Sequence, residues 1–164
     1  MAAARQGALA GTFQLRSRPL ASLRGSLEKA VDVPTSPQTI VQQYFASINS
    51  RDWPALREVL HPHLTMRVVG KGRLEGVGAA LAYFETLLAG FAEGTDRPTR
   101  FLASGSSVVV EIDFDGRTVG GRPVAFSAVD VFDISDGKIK SLSVWYDSLD
   151  VARQVKGRPE RTEP

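Results

Sequence analysis

The chain has 164 residues, 43% hydrophobic and 23% charged, ordinary values for a single globular domain with a real core. It has no cysteine, which excludes disulfides, thiolate catalysis and Cys-ligated zinc, and no apolar run approaches the roughly 18 residues a membrane helix needs. The formal net charge is +2, but residues 1–38 hold five basic side chains (Arg5, Arg16, Arg18, Arg24, Lys29) against two acidic ones (Glu28, Asp32), so the remainder is close to neutral and lacks the clustered Lys and Arg of a nucleic-acid footprint.

In chain order, the first 27 residues carry four Arg, several Ser and no Asp or Glu. That composition suits an organellar transit peptide, and equally a tail or a start codon assigned too early. Pro34, Ser36 and Pro37 mark the boundary where regular structure begins. The expected organisation is an extension over 1–37, one domain over 38–156 and a short tail over 157–164. Localisation is expected to be cytoplasmic, or organellar if the N-terminus is a transit peptide.

QTIVQQYFASINSRD places Ile40, Val41, Tyr44, Phe45 and Ile48 at helical spacing. Asp52 suits the cap of a second helix with Trp53 and Pro54 in its first turn. LTMRVV and the GKGRLEG turn read as a short strand or hairpin, and VGAALAYFETLLAGF as a third helix stopped near Gly94. After Pro98 come SSVVVEIDF, PVAFSAVDVFDI and KIKSLSVWY, rich in Val, Ile and Phe, with Asp136-Gly137 as a hairpin signal between the last two. A short helical pattern, SLDVARQV, closes the chain, and Asp147 before it suits an N-cap with Asp150 in the first turn. Helices first and a long sheet afterwards predict an α+β domain.

Several site chemistries are excluded by spacing. His61 and His63 lie two apart with no third His or Cys to complete a zinc site. GKGR at 70–73 lacks the frame of a phosphate loop, and there is no G-x-S-x-G elbow. Neither a metal nor a cofactor is expected, although an all-carboxylate magnesium site stays open.

The order Tyr44-Phe45, Arg51-Asp52, Gly76, Val129-Asp130-Val131-Phe132 and Asp136-Gly137-Lys138-Ile139 resembles the nuclear-transport-factor-2-like superfamily, in its SnoaL-like, polyketide cyclase-like branch. The resemblance covers residues 38 to about 156. It implies a cone: a curved, mostly antiparallel sheet packed on three N-terminal helices, with a pocket at the open end. Isomerases, cyclases, hydrolases, dehydratases and many non-enzymes share that fold, so the fold does not settle function.

Side chains alternate along a strand, so parity sorts the candidates. Leu142, Val144 and Tyr146 share one face, with Asp147 on the other; Phe126, Ala128, Asp130 and Phe132 share a face; Glu111, Asp113 and Asp115 share another. Resemblance to ketosteroid isomerase implies that the first set, and the positions of Glu111, Asp113 and Asp115, line the pocket. It also matches Asp130 and Tyr44 to the oxyanion-hole acid and tyrosine, and Val68 to the general base, which a valine cannot be. Resemblance to limonene epoxide hydrolase keeps one catalytic position in five, Asp113. Glu111 and Val144 stand at two others, and Arg67 and Val69 replace the water-holding pair, so that hydrolysis is rejected.

The expected site therefore holds Asp130, Asp113, Tyr44 and Glu111 as catalytic candidates, with Arg67, Tyr146, Val144 and Phe126 as substrate-binding ones. Carboxylates converging in a partly desolvated cavity cannot all ionise cheaply, and Arg67 can neutralise them or bind an anionic group. Plainer explanations stand beside these. Glu111, Asp113 and Asp115 also suit a strand's wet face, with Asp115-Gly116 starting a turn; Arg67 suits the surface or a pairing with Glu111; Tyr44 suits the core. Asp130, in an apolar strand, needs a partner if buried. Function is expected to be cofactor-independent acid–base chemistry of isomerase or cyclase type on a small-molecule ligand. The alternative is a non-catalytic ligand-binding or dimerisation module. The resemblance also implies a homodimer through the exposed sheet face, with Ser141, Ser143 and Trp145 toward the partner.

Overall fold

The computed structural model describes residues 35–157. The expected transit peptide or tail at the N-terminus and the segment after residue 157 lie outside the described residues.

Helix α1 (Pro37–Ser50) starts where Ser36 Oγ accepts from the Thr39 amide at 3.1 Å and Pro37 fills the first turn. Its apolar stripe buries Ile40, Val41, Tyr44, Phe45 and Ile48, and it stops at Arg51, whose φ of 55° is left-handed. Asp52 then caps α2 (Trp53–Val59) through a 2.9 Å bond from the Ala55 amide. The chain continues as β1 (Leu60–Val68), β2 (Gly72–Glu75) and α3 (Val77–Ala89).

Four long strands follow: β3 (Phe91–Ser104), β4 (Ser107–Thr118), β5 (Pro123–Ser135) and β6 (Lys138–Tyr146). Asp136 and Gly137 turn β5 into β6 with φ of 52° and 70°, the positive pair that a two-residue hairpin needs. Asp147 caps the last helix, α4 (Ser148–Lys156), by accepting from the Leu149 and Asp150 amides at 3.1 and 2.9 Å.

The six strands form one curved, unclosed sheet in the order β2-β1-β6-β5-β4-β3. Every pairing is antiparallel except β1 with β6, which is parallel. This is the expected α+β cone: the sheet is mostly antiparallel with one parallel pair, and the closing helix expected from SLDVARQV is present as α4. The core lies between the sheet's inner face and the helices, where Leu56, Leu60, Leu64, Met66, Phe132 and Leu142 are fully buried. Phe132 meets Tyr44 and Phe45 edge-on at 5.1 and 5.9 Å.

Two sequence expectations fail locally. The third helix ends at Ala89 rather than near Gly94, because β3 begins at once. Asp115-Gly116 starts no turn; β4 runs through it to Thr118. Glycine is needed there because a Cβ on Gly116 would stand 2.8 Å from the Glu93 carbonyl oxygen and 2.7 Å from the Phe114 ring.

The sheet also has uneven edges. Pairing of β5 with β6 stops at Ala128 opposite Tyr146, leaving residues 123–127 without a β6 neighbour. There Gln154 of α4 serves the strand instead: the Ala125 amide donates to its Oε1 at 2.8 Å, and its Nε2 donates to the Ala125 carbonyl at 2.9 Å.

Candidate functional site

The register fixes which side chains face inward. Asp130 lies opposite Val110 of β4 and Val144 of β6, so these three share the inner face. Phe114 lies opposite Asp96 of β3 and Phe126 of β5, which puts Asp96 on that face too. Between this face and helices α1 and α3 lies a cavity of about 110 Å³. Its wall is largely apolar, formed by Ile112, Phe114, Phe126, Val144, Phe84 and their neighbours, with Leu87 and Val151 toward solvent. Its polar groups are two carboxyls, Asp130 and Asp96, and three phenols, Tyr44, Tyr83 and Tyr146. Among the described residues, no Arg, Lys or His lines it.

Asp130 is 4% exposed, and its Oδ1 is buried without a hydrogen-bond partner among the described residues. Burial first, and the neighbouring Asp96 charge second, hold its carboxyl well above the usual carboxylate range. Burial therefore favours its protonated form, which can donate. Tyr44 is 3% exposed, and burial, then Asp130, Asp96 and Tyr83, push its phenol well up. Asp96 is half-buried, and desolvation lifts it to about 6. Burial also raises Tyr83 and Tyr146, which lie close enough to perturb each other's ionisation. An aromatic series, Phe91, Phe114, Phe126 and Tyr146, runs along the inner face with centroids 5.3, 4.9 and 5.4 Å apart.

The structure brings together Asp130, Tyr44, Tyr146, Val144 and Phe126 from the expected set. It separates three others from them. Asp113 and Glu111 point to the outer face, because β4 turns Val108, Val110, Ile112 and Phe114 inward and its parity leaves the acids outside. There Asp113 accepts from Ser127 Oγ at 3.0 Å, and Glu111 pairs with Arg100 at 3.2 Å. Asp115 pairs with Arg97 on the same face. Arg67 is also outside, its guanidinium carbon 4.7 Å from the Trp145 ring centroid, since its neighbours Met66 and Val68 take the inward positions. Neither acid, nor Arg67, reaches the cavity.

Two cavity groups escaped the sequence reading. Asp96 sits on β3, a strand that the sequence hides behind Gly94, Pro98 and several charges. Tyr83 sits beside Phe84 in α3, and its only signal was a phenol next to a core position. Among the described residues, no group of three or more His, Cys, Asp or Glu is placed to hold a metal ion. No helix among them is long and apolar enough to cross a membrane.

Comparison with known proteins agrees with this architecture. A SnoaL-like polyketide cyclase candidate from Jannaschia sp. superposes with a TM-score of 0.71 at 21% identity, over 78% of this chain and 96% of its own. An NTF2-like protein of unknown function from Burkholderia pseudomallei gives 0.69 at 20% identity, over 74% and 98%. An LEH-like epoxide hydrolase from M. tuberculosis gives 0.63 at 19% identity, over 73% and 89%. At such identities the likeness is one of fold. No curated protein sequence matches the chain. The SnoaL-like domain, however, matches in sequence over residues 41–142, more than half of the chain, from the first helix to Leu142 midway along the last strand. The protein therefore belongs to the SnoaL-like domain family.

Proposed function

We propose that the protein performs cofactor-independent acid–base chemistry of isomerase or cyclase type on a small carbonyl compound. The observation that carries this reading is the unpartnered, buried Asp130 carboxyl beside the Tyr44 phenol in a partly open, mostly apolar cavity. A buried polar atom without a partner costs roughly 1–3 kcal/mol, so a fold that keeps one has a use for it. Burial favours the protonated form of both groups, and in that form each can donate to an oxygen that gains negative charge as an adjacent C–H bond loses its proton. The family match and the polyketide cyclase-like neighbours support the small-molecule class.

The test uses 2-naphthol, whose oxygen mimics such an enolate and whose fluorescence reports binding. Asp130→Asn and Tyr44→Phe are each expected to weaken its affinity by about tenfold or more, the value of a hydrogen bond to a charged group. Unchanged affinity in both variants removes the proposal. Naphthol binding with Asp130 titrating in the ordinary carboxylate range favours the non-catalytic ligand-binding module instead. The same reading places a second copy of the chain on the outer sheet face, where Trp145 and Val129 remain 40% and 37% exposed.

A further inference from the structure

With Asp113 and Glu111 on the outside, one carboxyl in the cavity has no role yet. Asp96 stands on β3, the edge of the sheet, with β4 on one side and no strand on the other. Its side chain shares the inner face with Phe114 and lines the cavity with Asp130 and Tyr44. Its backbone points the other way, toward the missing neighbour, and there meets Asn49 near the end of α1. The Asn49 Nδ2 donates to the Asp96 carbonyl at 2.9 Å, and the Asp96 amide donates to Asn49 Oδ1 at 2.8 Å. One side-chain amide thus replaces a strand, at the one β3 residue whose carboxyl faces the cavity with Asp130. The register with β4 shifts on both sides of this segment, between Phe91 and Glu93 and between Pro98 and Arg100. Sheet pairing alone therefore holds Asp96 less firmly than the residues of β4 or β5.

We infer that Asp96 is the general base of this cavity and that Asn49 is the residue that positions it; the inference rests on Asp130 and Tyr44 being the oxyanion donors. The Asp96 carboxylate takes a proton from the carbon next to a ketone. The C–H electron pair becomes the carbon–carbon double bond of an enolate, and the carbonyl π pair moves onto oxygen, held by the Asp130 and Tyr44 hydroxyls. Where the ketone carries a neighbouring C=C, return of that proton to the far carbon of the dienolate completes an isomerisation; attack of the enolate carbon on an internal carbonyl, whose oxygen takes the proton back from Asp96, completes a cyclisation. Nothing is oxidised or reduced.

The two carboxyls are matched to opposite tasks. Asp96, lifted to about 6 by burial, is ionised at pH 7 yet more basic than a surface carboxylate. Burial, and then the Asp96 charge, holds Asp130 well above the usual carboxylate range, which favours its protonated form. The titratable groups sharing the cavity with Asp96 are Asp130 from β5 and the phenols of Tyr44 from α1, Tyr83 from α3 and Tyr146 from β6. The mostly apolar lining, without a cation among the described residues, suits an uncharged ketone with an acidic neighbouring C–H better than a carboxylate or phosphate.

The experiment follows exchange of the α-protons of 2-tetralone in D₂O by NMR, with 2-naphthol affinity measured on the same full-length proteins. Wild type is expected to exchange well above the buffer rate. Asp96→Asn should lose about 100-fold or more while keeping its naphthol affinity, and Asp113→Asn should match wild type. Asn49→Ala should lower kcat more than it raises KM, and move the Asp96 carboxyl titration, read by ¹³C NMR, down toward 3.8. Should Asn49→Ala not fold, Asn49→Asp keeps the acceptor for the Asp96 amide and reads the same titration. Exchange by Asp96→Asn at the wild-type rate overturns the inference, as does wild type exchanging only at the buffer rate while naphthol binding still depends on Asp130. Naphthol binding indifferent to Asp130 overturns the oxyanion reading instead.

Discussion

Asp96→Asn makes a prediction about stability that needs no substrate. Burial raises the Asp96 carboxyl from 3.8 to about 6. The folded protein therefore keeps this proton across a pH window in which the unfolded chain has released it. Below about pH 4 both states are protonated and the group costs nothing. As pH rises from about 4 to 6 the folded state is penalised progressively, and above that the penalty is complete. Roughly two pK units at 1.36 kcal/mol each set an upper limit of about 3 kcal/mol; the half-buried position of Asp96 brings the expected value to about 1–3 kcal/mol. The asparagine side chain of the variant cannot ionise, so the variant lacks this slope. Urea unfolding of both proteins at half-unit steps from pH 4 to 8 isolates the effect, because every other titrating group is common to both. The stability of Asp96→Asn relative to wild type should rise by about 1–3 kcal/mol between pH 4 and pH 7 and then level off. Parallel profiles would refute the desolvation argument, and with it the reason for calling Asp96 a base. A difference of opposite sign would mean that a cation stabilises the carboxylate.

Asp147→Ala removes both cap bonds at the start of α4 and should cost about 0.5–2 kcal/mol. Because α4 carries Val151 into the cavity lining, faster amide exchange in residues 148–156 should accompany weaker naphthol binding. Trp145→Arg places a second cation beside Arg67 on the outer face. If two copies pair there, analytical ultracentrifugation should show a wild-type dimer and a variant monomer; equal sedimentation rejects that pairing.

The fold was legible wherever a local signal agreed with burial. Ser36, Asp52 and Asp147 cap helices as their residue types suggest, and Asp136-Gly137 makes the turn that its composition calls for. β3 was not legible because an edge strand tolerates what a central strand rejects. Its Gly94, Pro98 and four charged residues hide a 14-residue strand paired with β4. Asp96 was lost with it.

The inner faces of β5 and β6 were read correctly, since Asp130 and Tyr146 alternate with outward neighbours as the period requires. The error on β4 was of another kind. Val108, Val110, Ile112 and Phe114 announce the buried face in the sequence itself. Assigning Glu111 and Asp113 to the pocket followed a resemblance in spacing rather than the alternation of this strand itself. The same rule would have sent Arg67 outside, between Met66 and Val68. Apolar alternation in the chain at hand is the stronger guide, because burial acts on this sequence and not on a relative's.

Gln154 has a consequence beyond the helix that carries it. Where β6 stops short, the N–H and C=O of Ala125 are satisfied by one glutamine side chain rather than by another strand. Breaking those two bonds would bare a stretch of strand edge with unsatisfied groups, and such an edge recruits extended peptide from any chain nearby. One glutamine side chain thus protects this edge as a covering strand would.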